Sequence, residues 1–570
     1  ARAVSGQSQW GDSAPRGQHY KARVVKDDFD WGSIAPPLLP TEDLIIYELH
    51  VRGFTKHESS GVLHPGTFDG LLEKLPHLLE LGVNVVELMP IFEFDEMQDY
   101  REVDGEKLYN YWGYNTVSFF APNTSYSSYR EHNREGNELK HLIQVFNQHG
   151  IEVYLDVVFN HTAEGNEHGP FFSFKGFDNN IYYLLTPEGY YYNFSGCGNS
   201  LNCNHPIVRQ MILDCLRYWV NTYRVNGFRF DLASILGRNE DGSPMNKPPL
   251  LQALAFDPIL GDVKLIAEAW DADGLYQVGT FPSWNRWAEW NGRYRDDMRR
   301  YLKGDEGMAQ AAALRLVGSH DIYAIDTRGN ASVNFITCHD GFTLYDLYSY
   351  NEKHNEKNGW NNTDGSNDNH SWNCGAEGDT DNPDVLALRK RMIRNAFAIL
   401  MCSRGIPMFL AGDEFCNTQF GNNNSYCQDN ITSWLDWRLL EKNRDIFEFF
   451  KYMIRFRKSH RLLRTNVSNG VNGFPDVSFH GVIPWCEHFA GYDRYIGVMF
   501  TGQEKSSGPQ FFYVASNAYW EEVDVLLPEL PISMCWKVVV DTWEESQKAY
   551  NLYSDRITVR PRSLMVVLGE

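Results

Sequence analysis

From about residue 43 to residue 411 the chain alternates short apolar runs with longer segments whose apolar residues fall at helical spacing. The runs lie at 44–49, 83–88, 151–158, 227–231, Lys264–Ala267, 287–290, 333–338 and 406–411. Helical spacing marks 68–81, 138–149, 208–223 and 385–401 between them. Strand–helix repeats of this size imply parallel strands covered by helices, and about eight of them suit a closed barrel. The expected fold is therefore α/β, a (β/α)8 TIM barrel. A doubly wound open sheet is the alternative, but no Gly-rich phosphate loop follows the first strand to favour it.

The stretch 162–206, rich in Gly, Asn and Tyr, is too long for an ordinary connection. It is expected to form an inserted excursion over the barrel mouth after the third strand. The Asn-, Gly- and Asp-rich stretch 351–383 has the same character. Residues 1–40 are polar and end in a Pro-rich run, Ile34 to Pro40, which reads as a linker. Beyond 460 the pattern changes to short β-like runs, so 41–460 is expected to be the barrel and 461–570 a C-terminal all-β sandwich.

A formal net charge of −22 argues against nucleic acid as a partner. No apolar run is long enough to cross a bilayer, so a membrane is not an expected partner either. Neutral ligands remain, and the 16 Trp and 31 Tyr offer flat rings that can stack on sugars, although most will fill the core. The ten Cys are scattered, several within apolar runs, as in a protein with buried reduced thiols. Cys197, Cys203 and His205 lack the spacing of a structural zinc site. His161, Glu164, Glu167 and His168 match no metal motif.

Functional side chains of a parallel barrel sit at the C-terminal ends of its strands. Here those ends carry charge: Asp156 with Asn160 and His161 behind it, then Arg229 and Asp231, then Glu268, then His339 and Asp340. A single charged strand end is usually a cap; several, each supplying an acid or the partner of an acid, are hard to explain that way. Arg229 and Asp231 are two apart, so they leave the same strand face, and a guanidinium beside a carboxylate favours its ionised form. An ionised carboxylate is what a nucleophile at an anomeric carbon must be. The pair alone reads equally well as a structural ion pair. Glu268 follows Leu265-Ile266-Ala267, an apolar setting that would raise its pKa as a general acid requires. Two carboxyl groups with pKa values pushed apart characterise glycoside hydrolysis.

At these residues the chain resembles the α-amylase superfamily of glycoside hydrolases, and within it the isoamylase or glycogen-debranching group. The matching segments include Asp156-Val157-Val158-Phe159-Asn160-His161, Gly227-Phe228-Arg229-Phe230-Asp231-Leu232-Ala233-Ser234, Ala267-Glu268-Ala269-Trp270-Asp271 and Cys338-His339-Asp340-Gly341-Phe342. Tyr47-Glu48-Leu49-His50-Val51-Arg52-Gly53-Phe54-Thr55 and Tyr111-Trp112-Gly113-Tyr114-Asn115 match as well, in the same order.

The resemblance implies a retaining hydrolase that cuts α-1,6 branch bonds of glycogen, amylopectin or their limit dextrins. It assigns Asp231 as nucleophile, Glu268 as general acid/base and Asp340 as stabiliser of the transition state. Arg229 would orient Asp231, His161 and His339 would bind sugar hydroxyls, and Tyr114 would stack on the ring, with Asp156 and Trp270 completing the binding set. No cofactor is implied; calcium occurs in some relatives, and the acidic loops leave a structural calcium open. The group usually carries an N-terminal β-sandwich, of which residues 1–40 look like only the tail. Pullulanase-type action is the near alternative, and a non-catalytic glucan-binding barrel is the alternative from another class. The lean is to a bacterial cytoplasm, with a plastid as the other location.

Overall fold

The computed structural model describes residues 24–98, 100–129, 135–324, 331–465, 470–487, 489–504 and 508–570. Of the expected N-terminal linker, residues 1–23 lie outside the described residues. Eight parallel strands close into a barrel. They are β1 (Ile46–Leu49), β2 (Val85–Leu88), β3 (Glu152–Val157), β4 (Gly227–Phe230), β5 (Lys264–Ala267), β6 (Ala288–Trp290), β7 (Ser332–Phe335) and β8 (Ile406–Leu410). Each pairs with its sequence neighbours, and β1 closes the ring against β8, with Ile46 opposite Met408. The open-sheet alternative is thereby excluded, and every expected strand is present, including the short sixth.

Successive side chains of a strand point to opposite faces, so each strand serves two cores. Outward residues such as Tyr47, Val86, Val153 and Phe228 pack under the helices. Inward residues Ile46, Val85, Tyr154, Ile266, Trp290, Val333, Phe335 and Met408 fill the barrel itself. Burial on both faces makes parallel strands read as nearly continuous apolar runs. Toward the C-terminal end of the barrel the inward positions change character: Glu48, Glu87, Asp156 and Arg229 stand there fully buried. Apolar layers below and a charged layer above give the barrel one chemically active end.

Helices α1 (Glu135–Gln148), α2 (Pro206–Tyr223), α3 (Gly292–Lys303), α4 (Pro383–Cys402) and α5 (Arg444–Ser459) contribute to the outer layer. Sequence places their starts clearly: His205 and Asn382 cap α2 and α4, each followed by Pro in the first turn. The helical stretch 68–81 is divided in two, Phe68–Glu73 and Leu75–Leu81. Pro76, with no N–H to donate, fits only the first turn of a new helix, so the hydrogen-bond ladder restarts there.

The excursion after β3 holds a short helix, Asn179–Tyr182, and is tied down by bridges Tyr183–Leu201 and Leu185–Tyr191. A second excursion, not anticipated from the sequence, follows β2: strands Phe92–Phe94 and Thr116–Pro122 pair, and Arg101–Val103 pairs with Glu106–Leu108. Cys203 donates to the Phe159 carbonyl in the core, whereas Cys197 is exposed. No described helix is long and apolar enough to cross a membrane.

The C-terminal region contains β9 (Val477–His480), β10 (Tyr495–Glu504), β11 (Gly508–Asn517), β12 (Val523–Leu526), β13 (Trp536–Asp541), β14 (Tyr550–Asn551), β15 (Arg556–Val559) and β16 (Ser563–Gly569). Six form one sheet in the order β9-β10-β11-β16-β13-β14, and β12 pairs with β15. Val498, Phe500, Phe512 and Val514 face the main core, while their alternating neighbours Met499, Phe511 and Tyr513 pack with Val525 and Ile557 of the small sheet. The buried Arg404 guanidinium pairs with both carboxylate oxygens of Asp476 at 2.7 Å, fastening this region to the barrel.

Gly227 opens β4, the strand that carries Arg229 and leads into Asp231, and a Cβ there would sit 2.6 Å from the Tyr154 ring. Gly227→Ala should therefore cost about 1–3 kcal/mol of stability by overpacking and lower turnover by displacing the strand end. Paired thermal melts and rate measurements check this; an unchanged melting temperature would contradict it.

Candidate active site

Asp231 and Glu268 stand one residue past the ends of β4 and β5, where the backbone leaves the ladder but is still held by it. The Asp231 N–H donates to the Val157 carbonyl at 3.0 Å, and the Glu268 N–H to the Phe230 carbonyl at 3.1 Å. Between them lies Arg229, wholly buried. One of its terminal nitrogens, Nη1, meets both oxygens of Asp156 at 2.9 Å and Asp231 Oδ1 at 3.3 Å. The other, Nη2, meets Glu268 Oε2 at 2.9 Å. The guanidinium also lies 4.1 Å from the centre of the Trp290 ring, a cation–π contact beneath the acids. Strand spacing pairs Arg229 with Asp231, but Asp156 is its nearer partner, and the cation is shared among three carboxylates.

Two further groups set the acids. Asn160 Nδ2 donates to Asp231 Oδ2 at 2.7 Å and to the Asp231 carbonyl at 2.9 Å. Leu232 adopts φ +40°, rare for a side chain of its size, and its N–H donates to Glu268 Oε2 at 2.7 Å. The strained turn after Asp231 thus directs a donor at the neighbouring acid.

Burial raises the Glu268 carboxyl to about 7; Arg229 opposes the shift and the Asp231 charge adds to it. Asp156 is pushed up to about 6, again by burial, with Arg229 pulling down and Asp231 pushing up. Burial acts against the charged form, and at Glu268 it outweighs the cation.

His339 is set by a residue distant in sequence. Glu48, fully buried on β1, accepts from the His339 N–H at 2.8 Å and lies 2.6 Å from Nδ1. That pairing leaves Nε2 as the nitrogen available to a hydroxyl. Tyr114 donates to Asp156 Oδ2 at 2.5 Å and stacks on the His339 ring, centroids 4.9 Å apart. His161 places Nδ1 2.6 Å from Asn160 Oδ1 and Nε2 2.9 Å from the Tyr114 carbonyl. Both ring nitrogens face acceptors. Burial presses the imidazolium pKa down, but Cys197, Asp231 and that carbonyl together bring it up to about 9.

The structure therefore brings Asp156, Arg229, Asp231, Glu268, His161, His339 and Tyr114 into one constellation. Asp340 stands apart from the Arg229 cluster, exposed at the mouth, in the field of His339 and Arg295. Trp270 lies beside Glu268, stacked on Tyr276 with ring centres 5.8 Å apart. Glu48 and Asn160 complete the set. The signal for Glu48 was present as a charge inside an apolar strand, which is costly unless it is paired. Among the described residues no group of three or more His, Cys, Asp or Glu is arranged to hold a metal ion.

A family model described as the α-amylase catalytic domain matches residues 46–174 and 182–436. The chain belongs to the α-amylase family of glycoside hydrolases. Within that family it is 46% identical over 549 residues to "Isoamylase 1, chloroplastic" of Arabidopsis thaliana, covering 91% of this chain and 69% of that protein. It is 44% identical over 548 residues to "Glycogen operon protein GlgX homolog" of Mycobacterium tuberculosis (strain ATCC 25618 / H37Rv), covering 91% and 75%. Among solved structures, a pullulanase complexed with maltotetraose from Anoxybacillus sp. LM18-11 superposes with a TM-score of 0.73 at 26% identity, covering all of this chain and 76% of that one.

An acid that must hold a proton is lost as pH rises through its pKa. The alkaline limb of kcat/KM should therefore fall with an apparent pKa near about 7, the value at Glu268. The stability linkage has the same sign: a raised carboxyl favours the folded state below its unfolded pKa, and that advantage is lost as pH climbs toward about 7. An alkaline limb two or more units higher would remove Glu268 from the acid role.

Proposed function

We propose that the protein is a retaining hydrolase of α-1,6-glucosidic branch linkages in glycogen, amylopectin or their limit dextrins. The observation that carries the reading is the Arg229 guanidinium, which holds Asp231 and Glu268 on its two terminal nitrogens. Two acids held as neighbours by one planar cation suit the retaining separation of about 5–5.5 Å; the wider gap of inverting enzymes leaves room for a water. The names of the isoamylase and GlgX relatives support the branched substrate.

In the first half-reaction an Asp231 carboxylate oxygen bonds to C1 of the branch glucose. The C1–O6 bond breaks, its electron pair stays on O6, and that oxygen takes the Glu268 proton and leaves as the 6-hydroxyl of the main chain. In the second, Glu268, now a carboxylate, takes a proton from water as the water oxygen bonds to C1. The bond from C1 to the Asp231 oxygen breaks in the same step and its electron pair returns to the carboxylate, freeing a linear chain with a reducing end. Asp340 offers negative charge to the oxocarbenium-like transition state from the mouth. His339 Nε2 and the His161 edge meet sugar hydroxyls, the latter sharing its nitrogen with the Tyr114 carbonyl, and Tyr114 supplies the stacking face. Asp156 keeps Arg229 in place from below, and Trp270 borders the Glu268 side. Nucleophile, proton donor and stabilising charge are all side chains, so the reaction as proposed needs no cofactor. A compartment that stores branched glucan follows from this reading: a bacterial cytoplasm or a plastid.

Purified protein should release linear chains with new reducing ends from glycogen and amylopectin. Asp231→Ala should lower that rate by roughly 10⁴-fold or more, on the scale of losing a nucleophile. Chain-length profiling of the products checks both. Prompt cleavage of pullulan beside glycogen would move the assignment to pullulanase-type action, and glycogen binding with no reducing ends released would make the protein a binding barrel.

A further inference from the structure

Trp360 lies in the connection after β7, and half of its side-chain surface is open, at 50% exposure. A single exposed aromatic needs no explanation by itself. This one is held at its edge and over one face. Its Nε1 donates to the Tyr426 hydroxyl at 2.7 Å. The Arg101 guanidinium carbon sits 5.0 Å from its ring centre, covering one face. Arg101 in turn donates to the Tyr426 hydroxyl at 2.8 Å and to the Asn358 carbonyl at 2.6 Å. The indole edge and one face are thereby committed, which leaves the other face to solvent.

The support beneath is a network of buried amides. Asn358, fully buried, donates to Asp364 Oδ2 and to the Asn424 carbonyl at 2.8 Å, and accepts from Asn422 at 2.9 Å and Gln428 at 2.8 Å. Asn358 has both sides of its amide paired twice over, and a buried amide so held is rigid. The two residues after Trp360, Asn361 and Asn362, both hold positive φ, at 50° and 60°. Strain of that kind persists only where the surroundings over-determine the backbone. An open ring face on so rigid a mount has already lost the freedom that binding would otherwise cost.

Its place on the barrel says which part of a substrate would meet it. The acids follow β4 and β5, whereas Trp360, Tyr426 and Arg101 follow β7, β8 and β2, centred on the opposite side of the ring. An aromatic path joins the two: His339 to Trp112 at 5.0 Å, Trp112 to Tyr426 at 6.3 Å, then Trp360. A general acid marks the side on which the leaving group departs. The chain that stays bonded at C1, the branch, must then run away from Glu268, toward this rim. We propose that the open face of Trp360 is a stacking subsite for a glucose of the branch, beyond the glucose that is cleaved, so that it favours longer branches. The orientation of the branch rests on the proposed debranching reaction; the stacking site itself does not.

The test compares wild type, Trp360→Ala and Trp360→Phe in the full chain, on substrates whose α-1,6 branches carry two or six glucose units. Trp360→Ala should lower kcat/KM on the six-unit branch roughly three- to tenfold, the worth of one stacking contact. The loss should lie mostly in KM, with the two-unit branch unchanged, and Trp360→Phe should keep most of the preference. Equal loss on both branches, equal loss in both variants, or no loss would overturn the proposal. Binding of maltohexaose and maltose to Asp231→Ala protein, with and without Trp360→Ala, separates the two readings. Weaker maltohexaose binding alone would uphold the subsite even if no α-1,6 bond is cut. Unchanged maltohexaose binding would overturn it whatever the hydrolysis assay shows.

Discussion

The Arg229 guanidinium is the element on which the active end of this barrel depends. It is a fully buried cation, and its cost is met because Asp156, Asp231 and Glu268 surround it and Trp290 lies beneath it. Breaking a buried ion pair by removing one partner typically costs about 3–5 kcal/mol, because the other charge is left unpaired. Three carboxylates on adjacent strands cannot crowd together without that cation, and the cation cannot be buried without them. Closure of the barrel brings both requirements together, since β3, β4 and β5 are neighbours in register, with Asp156 directly opposite Arg229.

Within that cluster, environment assigns different tasks to groups of the same chemistry. Glu268, buried and next to another negative charge, holds its proton up to about 7. Asp231 instead has the Asn160 amide donating to Oδ2 and the Arg229 cation to Oδ1. A second pair lies behind them: Glu48 fixes the orientation of His339 from the barrel interior, and Glu87, the Cα partner of Glu48, is buried with neither oxygen hydrogen-bonded among the described residues. Burial first, then the charges of Glu48 and Asp156, push the Glu87 carboxyl well above the usual carboxylate range. The charged layer thus rests on the apolar plug that fills the barrel.

Much of this was legible in the chain. Strands buried on both faces read as apolar runs, so all eight barrel positions were visible, and charged residues at their ends marked Asp156, Arg229, Asp231, Glu268 and His339. Groups acting through partners distant in sequence were less legible. Glu48 meets His339 across 291 positions, and nothing local to Glu48 points there. The role of Asn160 depends on Asp231, 71 positions on. The short strands between β2 and β3, which frame Tyr114, are too brief to stand out by periodicity. The division of 68–81 at Pro76 was written in the sequence but masked by helical spacing on both sides. Asp340 shows the opposite limit: its place beside His339 was plain, yet the fold holds it outside the Arg229 cluster, at the mouth where a substrate would pass.

The most direct test of the central claim, that Asp231 is the nucleophile poised by Arg229, is to trap its covalent product. Glu268→Gln protein lacks the base that activates water, so an α-glucosyl fluoride, whose leaving group needs no proton, should accumulate as an ester. Mass spectrometry of peptides after rapid acid quench should find a hexose on the peptide that contains Asp231, and Asp231→Asn should abolish it. A hexose on a peptide carrying Asp340 or Asp156, or turnover with no adduct and inverted product configuration, would contradict the account.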